Sequence, residues 1–250
     1  MGFLDRFFPK KEILLDPINP GLLINDIHSH LIPGIDDGSP DMNTTIQLLE
    51  KFIDLGYKKV ITTPHIMSDY FKNTSDIINS GLEDVRNEIE KRQLKIQIEA
   101  AAEYNLEPEF ERLIESGNIL TFGKEEYLLF ELSFFDEPPR INEVIWQMRE
   151  KGYSPVLAHV ERYGYWHQDE DKIEELINRG VKLQLNIGSI TGAYGPEVKK
   201  AAEKLIKNNS IDFIGSDCHH FQHLDMIGHA RRLPFFHELI QQDQLLNKEL

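Results

Sequence analysis

The sequence predicts an α/β protein, with a closed barrel preferred to an open sheet, and three observations carry that reading. Amphipathic stretches of helical period, most ending in Gly, alternate with short β-branched stretches. Several of the latter are near-continuous apolar runs, as expected of parallel strands covered by helices. No Pro/Gly/Ser-rich linker or low-complexity run divides the 250 residues, so a single domain is expected.

In chain order, a first strand lies near residues 24–28. Ser39-Pro40 marks the start of the helix "TTIQLLEKFIDLG", with Pro at the first helical position. Gly56 sits where a left-handed C-terminal residue belongs, and "YKKVITTPH" follows as the second strand. The third and fourth strands lie near 95–102 and 127–131. "INEVIWQMREKG" places Ile141, Val144, Ile145 and Met148 at helical spacing and closes on Gly152 before "YSPVLAHVE". "DKIEELINRG" closes on Gly180 before "VKLQLNIG", and Gly195-Pro196 opens "PEVKKAAEKLIKNN", which leads into "SIDFIGSDCH". These stretches make seven candidate strands.

Composition narrows the function. A formal net charge of −15 disfavours a nucleic-acid backbone as partner. The lone Cys218 excludes an internal disulfide and fits a reducing compartment. No apolar run is long enough to cross a bilayer, and "MGFLDRFFPKK" lacks a signal-peptide pattern. Arg6 stands where a myristoylation signal needs Ser or Thr. A cytoplasmic protein is expected, with residues 1–23 as an N-terminal extension and 24–250 as the catalytic barrel. Phe3, Leu4, Phe7 and Phe8 either dock or belong to a poorly ordered tail, the latter being preferred.

Chemistry in an α/β barrel gathers at the C-terminal ends of the strands. After the seven apolar runs come His28 and His30, His65, Glu103, Glu131, His159, Asn186, and Asp217 with His219. Six of the seven ends thus carry His, Asp or Glu. Glu131 lies inside "LLFELSFF", where a carboxylate is costly unless paired or bound to a cation. With Asp37 from the following loop the set comprises five histidines and four carboxylates. Four ligands suit one ion, so nine suit two or three. The mixed donors favour manganese, iron or zinc over calcium. His167, His220, His229 and His237 read as loop or helix-face residues, and His223 stands out only by following the last ligand closely.

The blocks "DIHSHLIPGIDDG", "TTPH", "AAEYN", "LFELSF", "AHVERY" and "GSDCHH" resemble the PHP (polymerase and histidinol phosphatase) superfamily. Within it they are most similar to the CpsB/CapC-type protein-tyrosine phosphatases of bacterial capsular and exopolysaccharide operons. The likeness runs from about residue 24 to 230 in matching order. It implies a distorted (β/α)₇ barrel with three divalent ions, commonly manganese, with iron, zinc or magnesium as alternatives. Carried over by position, the ligands are His28, His30, Asp37, His65, Glu103, Glu131, His159, Asp217 and His219, the set already read from the strand ends. The resemblance also implies that Arg162 holds a phosphate oxygen. The family often has an arginine after its last D-x-H; here "HFQHLDM" follows, and His223 is the candidate substitute.

The implied reaction is attack by metal-generated hydroxide on a phosphomonoester. A tyrosine leaving group, with a pKa of about 10, makes general-acid help useful rather than essential. His65 or His219 either holds an ion or supplies that proton. A cysteine-phosphatase mechanism fails on spacing, because the C-x₅-R position after Cys218 is Leu224. Phe134, Phe135, Tyr163, Tyr165 and Trp166 form either walls for an aromatic ring or rim and core packing. The resemblance implies a phosphotyrosine-bearing partner, the tail of a capsule-synthesis tyrosine kinase. The alternatives are a histidinol-phosphatase-like phosphomonoesterase, a non-catalytic phosphotyrosine-binding module, and metal-assisted C–N hydrolysis. The last predicts a carboxylated lysine or a different histidine pattern, and neither is seen.

Overall fold

The computed structural model describes residues 13–19 and 25–250. Phe3, Leu4, Phe7 and Phe8 and the boundary at residue 24 lie outside the described residues. Among those described, the strands are β1 (Asn25–Asp26), β2 (Lys59–Thr62), β3 (His65–Ile66), β4 (Gln97–Ala100), β5 (Glu103–Asn105), β6 (Tyr127–Glu131), β7 (Ser154–Leu157), β8 (Lys182–Asn186) and β9 (Phe213–Gly215). The helices are α1 (Met42–Leu55), α2 (Ser75–Arg92), α3 (Pro108–Ser116), α4 (Ile141–Glu150), α5 (Glu170–Asn178), α6 (Ile187–Thr191), α7 (Pro196–Lys207), α8 (Phe221–Ala230) and α9 (Pro234–Ile240).

All strand pairs are parallel, in the orders β1-β2-β4 and β3-β5-β6-β7-β8-β9. Nine strands reduce to seven staves. The second expected strand is broken at Thr63-Pro64 into β2 and β3, and the third at Ala101-Ala102 into β4 and β5. Register survives the break: Thr62 pairs with Ala100 before it and His65 with Glu103 after it, at the same offset. Pro64 has no N–H to give, but its carbonyl still accepts from Glu103 N at 3.2 Å.

The last stave returns to the first and closes the ring. Asp217 N donates to the His28 carbonyl (2.8 Å) and His30 N to that of Cys218 (2.9 Å). Buried Asn247 pins this seam from the C-terminal side, donating to the carbonyls of Asn25 (3.1 Å) and Ile214 (2.8 Å). The distorted (β/α)₇ barrel is therefore present. One buried cluster draws Ile27, Ile61, Ala101, Leu129, Val156 and Phe213 from six staves and fills the barrel interior. A larger cluster lies between staves and helices, and alternation along β6 sends Leu128 and Phe130 into it.

Ile141, Val144, Ile145 and Met148 are the buried face of α4, as their spacing predicts. Gly56, Gly152 and Gly180 all adopt the left-handed conformation. Pro196 opens α7 as expected. The first helix starts later than Ser39-Pro40: Asp41 is its N-cap, its carboxylate accepting from Thr44 N at 2.8 Å. His28 and His30 lie beyond the two-residue β1, in the closure seam. Among the described residues no helix is long and apolar enough to cross a membrane.

Candidate metal centre

The stave ends bring all nine candidate ligands together. Glu103, almost fully buried, is at the centre. Its Oε2 lies 3.2 Å from His28 Nε2, 3.5 Å from His30 Nε2 and 3.2 Å from His65 Nδ1, and its Oε1 lies 3.0 Å from His159 Nε2. Glu131 Oε1 is 3.3 Å from His65 Nδ1. Asp217 Oδ1 is 3.5 Å from His28 Nε2, and Asp37 Oδ1 is 3.4 Å from His219 Nε2. Three overlapping groups have donor atoms close enough to share an ion: His30, Asp37, His65 and His219; His28, His30 and Glu103; and His65, Glu103 and Glu131.

Local backbone explains the convergence. The loop carrying Asp36 and Asp37 folds back on the seam, with Ser39 N donating to the His30 carbonyl at 3.0 Å. Gly38 is required there, because a Cβ would overlap the His30 carbonyl oxygen and Cβ. His159 (φ 34°) and Asp217 (φ 50°) are both held in the left-handed region, uncommon for residues with a Cβ. Strain of this kind persists where surrounding structure enforces it, and it clusters at functional sites.

The donor atoms fit a cation. Three rings have Nδ1 committed elsewhere: His28 to Gln184 Oε1 (2.9 Å), His30 to Asp36 Oδ2 (2.8 Å) and His219 to the Asp217 carbonyl (2.9 Å). Each partner atom accepts, so each Nδ1 carries a proton and each Nε2 of the neutral ring is a bare lone pair. The Nε2 atoms of His28 and His30 then face one another at 3.4 Å. Two lone pairs at that distance repel unless a cation lies beside them. Metal-binding histidines typically anchor the distal N–H in this way. Buried His159 Nδ1 makes no hydrogen bond, and buried His65 Nδ1 meets only the Glu103 and Glu131 carboxylates.

The same crowding perturbs ionisation. Burial opposes charge on the rings, but Glu103 and Asp217 push His28 up to about 10, and Glu103 and Glu131 push His65 up to about 10. A hydrogen bond from His219 holds Asp37 down at about 2. Burial also opposes ionisation of Glu103, yet His28 and His65 hold it well below the usual carboxylate range. In metal-stripped protein, protons therefore stand in for cations. The raised histidines contribute stability fully below about 6.5, lost as pH rises through about 10. The depressed Asp37 contributes above about 4, lost as pH falls through about 2. Thermal melts of chelated protein are expected to drop between pH 6.5 and 10; a flat profile there would refute the ion pairs.

A cavity of about 320 Å³ opens beside the cluster, lined by Arg162, Phe134, Tyr194, His220 and His223 as well as by candidate ligands. The Arg162 guanidinium lies between two rings, 4.5 Å from the Phe134 centroid and 4.7 Å from that of Tyr194. Its Nη1 reaches Asp217 Oδ2 at 3.4 Å. His223 Nδ1 accepts from the His219 backbone N–H at 3.0 Å, which leaves Nε2 as its only donor. Burial and neighbouring His220 lower its pKa to about 4, so it is a neutral ring at physiological pH.

The profile of a family described as capsular polysaccharide synthesis, CpsB/CapC, matches residues 24–226. The chain belongs to the CpsB/CapC family. Among curated relatives, tyrosine-protein phosphatase YwqE of Bacillus subtilis is 26% identical over 194 residues, spanning 78% of this chain and 76% of its own. Tyrosine-protein phosphatase CpsB of Streptococcus agalactiae is 27% identical over 199 residues, spanning 78% and 82%. A crystal structure reported for YwqE from Bacillus subtilis and CpsB from Streptococcus pneumoniae, "unique metal-dependent tyrosine phosphatases", superposes with a TM-score of 0.75 at 23% identity and covers 90% of each chain. That superposition carries the barrel.

Several residues of this CpsB/CapC chain differ from their sequence reading. His220 is a loop residue at the start of α8, as read, yet it also lines the cavity, 4.0 Å in ring centroid from His223. His167 and His237 are indeed satisfied by backbone carbonyls. The aromatic set divides. Tyr163 is fully buried, Trp166 Nε1 donates to Glu137 and Tyr165 Oη to the Ser133 carbonyl, so these three pack. Phe134 borders the cavity, and Phe135 is almost wholly exposed. Asp36, Gln184 and Tyr194 carry no role in the sequence reading, yet they orient His30, His28 and Arg162. A polar amide inside the apolar run "VKLQLN" is the one sequence signal that could have pointed to Gln184.

Proposed function

We propose that this CpsB/CapC chain is a metal-dependent protein-tyrosine phosphatase that hydrolyses phosphotyrosine on the tail of a bacterial tyrosine kinase of capsule or exopolysaccharide synthesis, acting in the cytoplasm. The observation that carries the reading is the set of imidazole lone pairs and carboxylates converging on Glu103 beside an arginine-bearing cavity. Three divalent ions, manganese by preference, are held by His28, His30, Asp37, His65, Glu103, Glu131, His159, Asp217 and His219. When bound, the ions supply Lewis acidity to water and to phosphoryl oxygens.

The chain's own groups do the rest. Arg162, fixed between Phe134 and Tyr194, holds non-bridging phosphoryl oxygens and meets the charge that develops on them. His223 adds a neutral Nε2–H donor where related sequences often have arginine. Both nitrogens of His65 and of His219 face cluster carboxylates or the Asp217 carbonyl, which favours metal holding over proton donation for both. Phenolate departs without an acid. Phe134, partly exposed at the cavity edge, borders the space for the tyrosyl ring.

The test compares kcat/KM of manganese-loaded protein on a phosphotyrosyl peptide, a phosphoseryl peptide and histidinol phosphate. The phosphotyrosyl peptide is expected to lead by on the order of 10²-fold, since a poorer leaving group needs the acid this site lacks. Equal or faster turnover of histidinol phosphate would replace the protein substrate by a small molecule.

A further inference from the structure

β8 is the one stave whose end carries no candidate ligand, and its inward face is polar. Alternation puts Leu183 and Leu185 into the outer core, leaving Gln184 and Asn186, both fully buried, on the opposite face. The two amides form one directed chain. The His159 backbone N–H donates to Gln184 at 2.9 Å, so the atom it meets is the oxygen, Oε1. Gln184 Nε2 must then donate, and it reaches Asn186 Oδ1 at 2.8 Å. Asn186 Nδ2 donates in turn to Asp217 Oδ2 at 2.7 Å. Both ends are unambiguous, a backbone donor and a carboxylate acceptor, so neither amide can flip without two broken bonds.

This polarity has a consequence for the cluster. Gln184 Oε1 also meets His28 Nδ1, at 2.9 Å, and being an acceptor it fixes the proton there. In the neutral ring His28 Nε2 is thereby left as the bare lone pair, aimed at the space beside Glu103 and Asp217. At the far end, Asn186 occupies Asp217 Oδ2 and turns Oδ1 toward the rings of His28, His30 and His219. The fold makes room for this arrangement at Gly215, where a Cβ would lie 2.6 Å from His28 Cβ and 3.0 Å from Gln184 Nε2.

We infer that Gln184 and Asn186 are positioning residues of the metal centre: their directed amide chain sets the His28 tautomer and the Asp217 rotamer together, so that the stave without a ligand prepares ligands on the first and last staves. The inference rests on the metal-dependent reading of the site. Groups that orient a ligating imidazole in other metal sites typically change metal affinity by about 10- to 100-fold when removed.

The experiment titrates manganese into metal-stripped full-length protein and compares wild type, Gln184→Leu and Gln184→Glu, with melting temperatures of the stripped forms recorded alongside. Gln184→Leu removes all three side-chain hydrogen bonds, to His28, the His159 N–H and Asn186, and is expected to weaken manganese binding by about 10- to 100-fold. Gln184→Glu keeps an acceptor for His28 but cannot donate to Asn186, and its affinity is expected to fall between the two. A purely structural role would lower the melting temperature and leave the dissociation constant of the folded variants unchanged. Affinity within twofold of wild type in folded Gln184→Leu overturns the inference. Where Gln184→Leu does not fold, the same result in Gln184→Glu does so. Wild type that binds no divalent ion is a separate outcome, and it removes the metal reading itself.

Discussion

Chelation is expected to abolish hydrolysis of phosphotyrosyl peptide, manganese to restore it, and His30→Ala to remain inactive at saturating manganese while Cys218→Ser stays active. His30 is buried, its Nδ1 is anchored on Asp36, and its Nε2 faces Glu103, Asp217 and His28. Removing the ring takes a donor from two of the three candidate groups and leaves Asp36 buried without its main partner. The loss should exceed 10³-fold, roughly the size seen when a catalytic constellation is broken. Cys218 is the control for a thiolate mechanism. Its sulfur is buried, and burial together with Asp26 and Asp217 raises its pKa well above that of an ordinary thiol. A nucleophilic cysteine needs the opposite environment. Serine is nearly isosteric there, so only modest destabilisation is expected. A dead Cys218→Ser beside a live His30→Ala would overturn the metal-dependent mechanism.

Arg162→Ala is expected to keep near-normal manganese content while kcat/KM falls on the order of 10²-fold, with both constants affected. The guanidinium is partly exposed at the cavity and sandwiched by Phe134 and Tyr194, so its planar fork is already oriented before substrate arrives. A contact that strengthens as charge shifts onto the phosphoryl oxygens acts on kcat, and ground-state attraction acts on KM. Arg162→Lys should recover part of KM and little of kcat, because an ammonium cannot replace a bidentate fork. Wild-type kinetics in Arg162→Ala would place the phosphate elsewhere.

What could be read in advance follows from what each feature depends on. The candidate ligands were legible because their placement needs only the C-terminal end of each apolar run, and His28, His65, Glu103, Glu131, His159 and Asp217 all stand there. The breaks at Thr63-Pro64 and Ala101-Ala102 were not, since an apolar run looks the same whether or not its ladder is interrupted. The first helix was placed too early because Pro40 competes with Asp41 as a start signal, and a capping hydrogen bond to Thr44 decides it. Tyr194 reaches Arg162 from the segment between α6 and α7, a proximity set by the curl of the sheet rather than by any local pattern. Gln184 and Asn186 are ordinary amides in sequence, and only their pairing in space gives them direction.

The closure seam bears on how the molecule comes to exist. Asp26 and Ser216 meet across it from 190 positions apart, and Asn247 pins it from later still. Long loops of this kind close slowly, because their entropy is lost before any contact rewards it. The seam joins His28 and His30 to Asp217 and His219, so an ion held by both sides binds only after the ring has shut. Manganese should therefore leave the refolding rate almost untouched and slow unfolding instead, lengthening the lifetime of the native state. During synthesis, His28 and His30 wait apart from Asp217 and His219 until the final stave has left the ribosome, and an ion that needs both sides of the seam binds only after that.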